Sequence, residues 1–324
     1  MISESKNLSG FILVDKPAGL TSMTVVRKVK RFLKVSQVGH LGTLDPFATG
    51  VLPVMVGNAT RLSDSVMDGR KGYDFSVALG SETDTLDTEG KVVSEAPIPD
   101  AINALIIDAL PSFRGSILQI PPVYSAIKMD GLCLYEHMRR HGELPQSIET
   151  KARKIDVFEI ELLGVRAGAD GGPVADLRVL CGKGTYVRCL ARDIARSLGT
   201  VGHCVALRRT FVEPWSVKQC LRIDDVTEDD LSKAFSEGLH APEDLVPEMP
   251  VGILLAEKSA KSLAVGNAHV VAVNDVHWVR NEQITKDASF AALMRTDAGL
   301  MFLCEARAEP SIGWYIQPRK MVSS

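Results

Sequence analysis

The stretch Gly39-His40-Leu41-Gly42-Thr43-Leu44-Asp45-Pro46-Phe47-Ala48-Thr49-Gly50-Val51-Leu52-Pro53 constrains this chain more than any other. Its three glycines admit tight or left-handed backbone, and its two prolines fix φ and remove donors. Ordering such a segment costs conformational entropy, and neither a regular helix nor a regular strand is expected through it. Its shape therefore has to serve something else. Asp45, standing before Pro46, is biased to extended backbone, which projects its carboxylate away from the chain. Taken alone, an Asp-Pro pair is an ordinary turn former. Inside this run it becomes a candidate carboxylate aimed into a cleft.

The flanking sequence predicts what holds the run. Phe11-Ile12-Leu13-Val14 reads as a buried strand entering a turn at Asp15-Lys16-Pro17-Ala18-Gly19. Thr21-Ser22 offers an N-cap for a helix to about Lys34, with Val25, Val26, Val29, Phe32 and Leu33 on one stripe. Arg27, Lys28, Lys30, Arg31 and Lys34 fill the other positions, either as a solvated face or facing phosphates. Residues 74–80 alternate like a half-buried strand, 101–110 have helical period, and 155–162 and 175–180 alternate and are expected to pair across the glycines of 168–172. A helix is expected over 189–198, closed by Gly199. Strands in clusters with interspersed helices predict an α+β fold with a mixed sheet.

At 324 residues one large and one smaller domain are expected. The three prolines and three acids of 240–250 mark the approach to the boundary, giving domains at 1–245 and 250–324, the second β-rich with strands near 268–273 and 300–303. The N-terminus has an early acid and no apolar run behind a basic start, so no secretory signal is read and the cytoplasm is the expected compartment. Cys133, Cys181, Cys189, Cys204, Cys220 and Cys304 are scattered without a Cys-x-x-Cys, which predicts buried thiols and no structural metal. Asp84, Asp87 and Glu89 lack the spacing of a calcium loop. The net charge of −3 argues only weakly against nucleic acid, because the cations cluster: Arg70-Lys71, Arg139-Arg140-His141, Lys151/Arg153/Lys154 and Arg208-Arg209 are further phosphate candidates.

At the first loop the residues become distinctive. Gly42-x-Leu44-Asp45-Pro46-x-Ala48-x-Gly50-x-Leu52 fixes seven positions in eleven and resembles the catalytic-aspartate motif of the B family of pseudouridine synthases. That family includes bacterial tRNA enzymes and guide-RNA-dependent ones. Asp15-Lys16-Pro17-x-Gly19-x-Thr21-Ser22, Lys71-Gly72-Tyr73, Gly80-x-x-Thr83-Asp84-Thr85-x-Asp87-x-x-Gly90, Pro121-Pro122-x-Tyr124-Ser125-Ala126, Gly184-Thr185-Tyr186-Val187-Arg188 and Leu207-Arg208-Arg209 match its further motifs in order. The match covers about residues 10–215. The C-terminal module resembles a PUA RNA-binding domain loosely, by position and by its final Gly313-x-x-x-x-Pro318-Arg319.

The resemblance implies a pseudouridine-synthase fold with a catalytic cleft in a mainly antiparallel sheet. It implies conversion of uridine to pseudouridine at position 55 in the tRNA T-arm, by a chain acting as a monomer without cofactor, metal or obligatory protein partner. Asp45 is implied as nucleophile, attacking either C1′ or the uracil ring, with Arg188 keeping it ionised against burial. Tyr73 is implied to stack on the base and assist loss of the C5 proton; Tyr186 and Leu207 are implied to line the uracil pocket. His40 is implied to contact the T-loop where the target leaves its stack, since the reacting atoms require an extruded nucleotide. The stretch 128–150 is implied to be the loop that grips tRNA. Three alternatives remain open: a tRNA-folding chaperone with catalysis secondary, a guide-RNA-dependent synthase, and a sugar hydrolase, which lacks a second acid at a motif position.

Overall fold

The structure, a computed structural model, describes residues 8–66, 69–122, 152–169, 171–280, 284, 289–309 and 313–323, with the backbone of 128–129 and 132–133. The candidate gripping stretch is outside the described residues apart from those two short paired segments, and so are Tyr124, Arg139, Arg140, His141 and Lys151.

Why the first apolar run is a strand is plain from its surroundings. Gly10–Lys16 is buried along its whole length. Ile12 and Val14 face a core containing Val25, Val29 and Leu33, while Phe11 and Leu13 face another containing Val51, Met55 and Leu62. A strand covered on both faces reads as a continuous apolar run. The helix Ser22–Leu33 starts where Thr21 caps it, its Oγ1 accepting from the Thr24 N–H at 3.0 Å. It stops where Lys34 turns left-handed. Its valines and Leu33 are buried, each contributing roughly 1.5–3 kcal/mol by burial. Arg27, Lys30, Arg31 and Lys34 remain exposed.

An 11-stranded sheet carries the molecule. Its main path runs Leu221–Arg222, Gly10–Lys16, Thr49–Val56, Gly202–Val212, Lys71–Leu79, Pro173–Cys181, Arg153–Ala167 and Gly115–Gln119. All these neighbours are antiparallel except two: the first pair, and the short contact of Arg208-Arg209 with Thr49-Gly50. The expected α+β class with a mixed, mainly antiparallel sheet holds. One expectation fails: the Gly/Pro run is not free of regular structure, since Val38–His40 and Thr49–Val56 are strands. Pro53 is tolerated because the N–H it lacks would point, like its C=O that accepts from Leu41 N (2.9 Å), to the side where the partner strand has already ended at His40. Residues 71–79 are also more deeply buried than a half-buried strand, being central in the sheet. The helix expected at 189–198 spans Val187–Ser197, which brings Arg188 into its first turn.

A second, 6-stranded sheet spans residues 251–323, in the order His269–Ala272, Gly313–Ser323, Met301–Glu309, Phe290–Thr296, Val251–Leu254 and Val276–Arg280. It has a small core of its own around Leu254, Ala292, Phe302 and Ile316. Its other face shares a core with the large sheet: Val251, Leu293, Met301 and Val322 pack with Phe11, Met55, Leu62 and Leu245. Ser9 Oγ, donating to Val322 O at 2.6 Å and accepting from Ala59 N, ties the same seam. Cys181, Cys189, Cys204 and Cys304 are buried as the sequence predicts, while Cys220 is only half-buried. Among the described residues no helix is long and apolar enough to cross a membrane.

Candidate active site

The loop between the strands Val38–His40 and Thr49–Val56 is shaped by side chains that lie outside it. Gly42 and Gly50 both have positive φ (78° and 106°). At Gly50 a Cβ would sit 2.1 Å from the Arg209 carbonyl oxygen, so only glycine fits. Ser22, buried in the first turn of its helix, donates to Leu44 O (3.0 Å) and accepts from Leu44 N (2.9 Å). Lys16, fully buried, donates to Pro17 O (2.9 Å), Leu20 O (2.6 Å) and Pro46 O (3.1 Å). Arg209, 1% exposed, donates from Nε to Val51 O (2.7 Å) and from Nη2 to Gly42 O (3.0 Å). Carbonyls on both sides of Asp45 are therefore held by groups distant in sequence.

Asp45 itself faces Arg188. The guanidinium Nε lies 2.9 Å from Oδ2 and Nη2 donates to Oδ1 at 3.2 Å, a two-pronged contact that fixes the carboxylate plane. The other edge of the guanidinium meets Asp87 Oδ2 at 3.2 Å and Thr85 O at 2.6 Å. Asp87 is oriented in turn by the Thr85 hydroxyl (2.5 Å) and the Glu89 N–H (3.0 Å). The side chains of Arg188 and Asp87 are 6% and 4% exposed, while that of Asp45 keeps 33%. Asp45 is thus the end of the chain that meets the cleft. Burial pushes its carboxyl above the ordinary aspartate value, Arg188 opposes this most strongly, Asp87 adds to it, and Lys16 pulls down. Burial also lowers the Lys16 ammonium to about 8, against the charges of Asp45 and Glu89.

Above the carboxylate lies a cleft of about 530 Å³, enough for a nucleobase and its sugar. Asp45, Tyr73, Tyr186, Arg188 and Leu207 all line it, together with Leu41, Val66, Lys71 and Val212. Tyr73 is a cross-strand neighbour of Arg209 and is buried, which pushes its hydroxyl above the usual tyrosine value. Tyr186 is held through its backbone, its N–H donating to Gln119 Oε1 (2.9 Å) and its C=O accepting from Gln119 Nε2 (3.1 Å). His40 stands apart from this group: it ends a strand opposite Val54, and its neighbour Leu41 lines the cleft. Its buried Nδ1 has no hydrogen-bond partner among the described residues, and burial followed by the Arg209 charge lowers its basicity.

Two of the basic clusters read as phosphate contacts are committed elsewhere. Arg209 is interior, and Arg208 grips Asp15 through Nη2 (2.6 Å) and Nη1 (3.0 Å). Arg70 is clasped by Glu213 at 2.6 Å, although it remains exposed. For Arg208 and Arg209 the reason is the strand alternation, which sends the two side chains to opposite faces of the sheet. The sequence alone assigned no role in the site to Asp87, Gln119, Ser22 or Lys16, though Asp87, Ser22 and Lys16 stand inside the matched motifs. Their placement within those motifs was the available signal.

The fold and this cleft together define an α+β enzyme of the pseudouridine-synthase type, and comparison with known proteins makes the class definite. Residues 30–187 match the TruB family pseudouridylate synthase N-terminal domain. The tRNA pseudouridine synthase B of Gluconacetobacter diazotrophicus is 41% identical over 265 residues, covering 81% of this chain and 82% of its own. That of Caulobacter vibrioides is 36% identical over 307 residues, covering 93% of each. Among solved structures, a chain of a Cbf5-Nop10-Gar1 complex superposes with a TM-score of 0.66 at 25% identity, covering 97% of this chain and 84% of its own. A chain of an H/ACA RNP bound to a substrate RNA containing 2′-deoxyuridine shares the fold, with a TM-score of 0.67 at 22% identity, covering 100% and 88%. The chain belongs to the tRNA pseudouridine synthase B family and is an isomerase that makes pseudouridine.

Proposed function

We propose that the chain converts the uridine at position 55 in the T-arm of tRNA to pseudouridine, with Asp45 as nucleophile and the target nucleotide turned out of its stack. The observation that carries this reading is the Asp45 carboxylate, pinned by Arg188 at the base of a cleft whose other walls are Tyr73, Leu207 and Tyr186. The reaction breaks N1–C1′ and joins C5 to C1′; N1 gains a proton and C5 loses one. Asp45 attacks C1′ or adds to the uracil ring, and either route needs an ionised carboxylate, which Arg188 favours. Tyr73, beside the base, assists removal of the C5 proton. Tyr186 and Leu207 line the uracil pocket, and His40, at the end of its strand, meets the T-loop. A base inside a stacked stem has no access to a carboxylate this recessed, so extrusion is part of the reading.

Residues 1–245 form the catalytic unit in this reading, and 250–324 a PUA-like unit that docks the tRNA. The chain works as a monomer in the cytoplasm, without cofactor. Relatives at 35–43% identity bear the name tRNA pseudouridine synthase B, while the multi-protein Cbf5 assembly stands at 25%. This favours a chain that works without guide RNA. The test is incubation of the purified chain alone, in EDTA, with an unmodified T-arm stem-loop, mapping pseudouridine by chemical labelling. One modified site in the T-loop, absent with Asp45→Asn, supports the reading. RNA binding without pseudouridine refutes it.

A further inference from the structure

Arg209 heads the fully buried side chains by size, yet its bonds to Val51 O and Gly42 O are to neutral carbonyls. Its neighbour Arg208 has a carboxylate, Asp15. Removing a guanidinium from water against neutral acceptors alone is expensive. Two carbonyls are as readily satisfied by a neutral amide, so the charge calls for a further explanation. Strand register supplies one. Arg209 lies directly opposite Tyr73 on one side and opposite Gly50 on the other. The guanidinium thus reaches both ends of the Asp45 loop and sits beside the Tyr73 hydroxyl.

We propose that Arg209 is a positioning residue for the isomerisation: from the wall of the cleft it orients and polarises the Tyr73 hydroxyl while spanning the loop that carries Asp45. The inference rests on the reading of Tyr73 as the group that assists loss of the C5 proton. A phenol oxygen takes up that proton more readily as it gains phenolate character, and a cation held against it stabilises such character. Burial opposes it most, with Cys181 on the strand Pro173–Cys181 and Asp45 across the cleft adding to the opposition; Arg209 is the main group acting the other way. Lys71 on the same strand and Arg188 on the facing helix line the same cleft.

The experiment measures the single-turnover rate of pseudouridine formation on the T-arm stem-loop against pH. It compares the wild type with Arg209→Gln, Arg209→Lys, Tyr73→Phe and the Tyr73→Phe/Arg209→Gln double variant, with RNA affinity and thermal unfolding followed alongside. Arg209→Gln is expected to slow the chemical step by about 100-fold, the scale of losing one preorganised donor. RNA affinity should stay within about threefold, and the rise of rate with pH should move to higher pH. Arg209→Lys keeps the charge and is expected to leave that rise where the wild type has it. In the Tyr73→Phe background the Arg209→Gln loss should shrink to about twofold, since both changes remove one function. A full, multiplicative loss in the double variant, or an unmoved pH profile in folded Arg209→Gln, overturns the proposal. A Tyr73→Phe enzyme with wild-type rate overturns the underlying reading of Tyr73, a result separate from either. Should Arg209→Gln unfold below assay temperature, Arg209→Met, which keeps the length of the side chain without its charge, closes the same cycle.

Discussion

The cleft face of the large sheet and the C-terminal sheet use charge in opposite ways. Around Asp45 the charged groups are interior, and each is gripped: Arg188 by Asp45 and Asp87, Lys16 by three carbonyls, Arg209 by two. In the C-terminal sheet the ion pairs Arg307–Glu309 and Arg319–Glu305 lie on the surface, with both arginines more than half exposed. Arg307 also covers the Tyr315 ring at 4.6 Å. Water screens the second set, leaving each pair worth little. The first set is largely shielded from water, so its partners dictate where atoms sit. Burial turns charge into geometry, and geometry is what a nucleophile requires.

The largest effect that would test this contrast is at Asp45. Asp45→Asn is expected to lower the single-turnover rate by at least about 10⁴-fold, because the attacking carboxylate is lost. It is also expected to unfold no earlier than the wild type at pH 7. The folded-state value of Asp45 is raised above 3.8, so the native state holds that proton more tightly than the unfolded one. Ionised Asp45 therefore costs stability at neutral pH, and the cost is relieved as pH falls through the raised value toward 3.8. Melting curves against pH should show the variant's advantage fading on acidification, and the wild-type rate should lose its acid limb above 3.8. A variant much less stable than the wild type would contradict the interior-charge picture.

Arg188→Met should come next. It leaves Asp45 and Asp87 facing each other without their shared cation, at a cost of about 3–5 kcal/mol in denaturant unfolding. A loss below about 1 kcal/mol would mean that this pair behaves like the surface ones. Leu293→Ala, in the core shared by the two sheets, is expected to cost about 2–5 kcal/mol and to lower the unfolding of both sheets in one transition. Two separated transitions would show that the C-terminal sheet folds independently. The smallest effect is expected for Arg319→Ala, within about 1 kcal/mol by the same measurement, because the pair with Glu305 is exposed. A larger loss there would erase the contrast.

Much of this was readable in the chain. The first strand, the Thr21 cap and the apolar stripe of Ser22–Leu33 follow from short-range preferences; the structure reproduces the helix within a residue and carries the strand two residues further, to Lys16. Asp45, Tyr73, Tyr186, Arg188 and Leu207 were each singled out by their motifs, and they meet in one cleft. The strand at Thr49–Val56 was missed because Gly50 is required there by the close approach of the Arg209 backbone and Pro53 is tolerated by a partner strand that ends at His40. Arg208 and Arg209 were grouped as a basic cluster because a sequence places adjacent residues together, whereas a strand sends them to opposite faces.

Local preference and motif spacing are properties of neighbours along the chain, and so the sequence alone determined the fold class, the family and five of the side chains that reach the cleft. What it left to the tertiary structure is which group holds which. Arg209 reaches Gly42 and Val51 across 167 and 158 residues, and Arg188 reaches Asp45 across 143. Only the folded sheet closes those distances and strips away the water that would otherwise screen the charges.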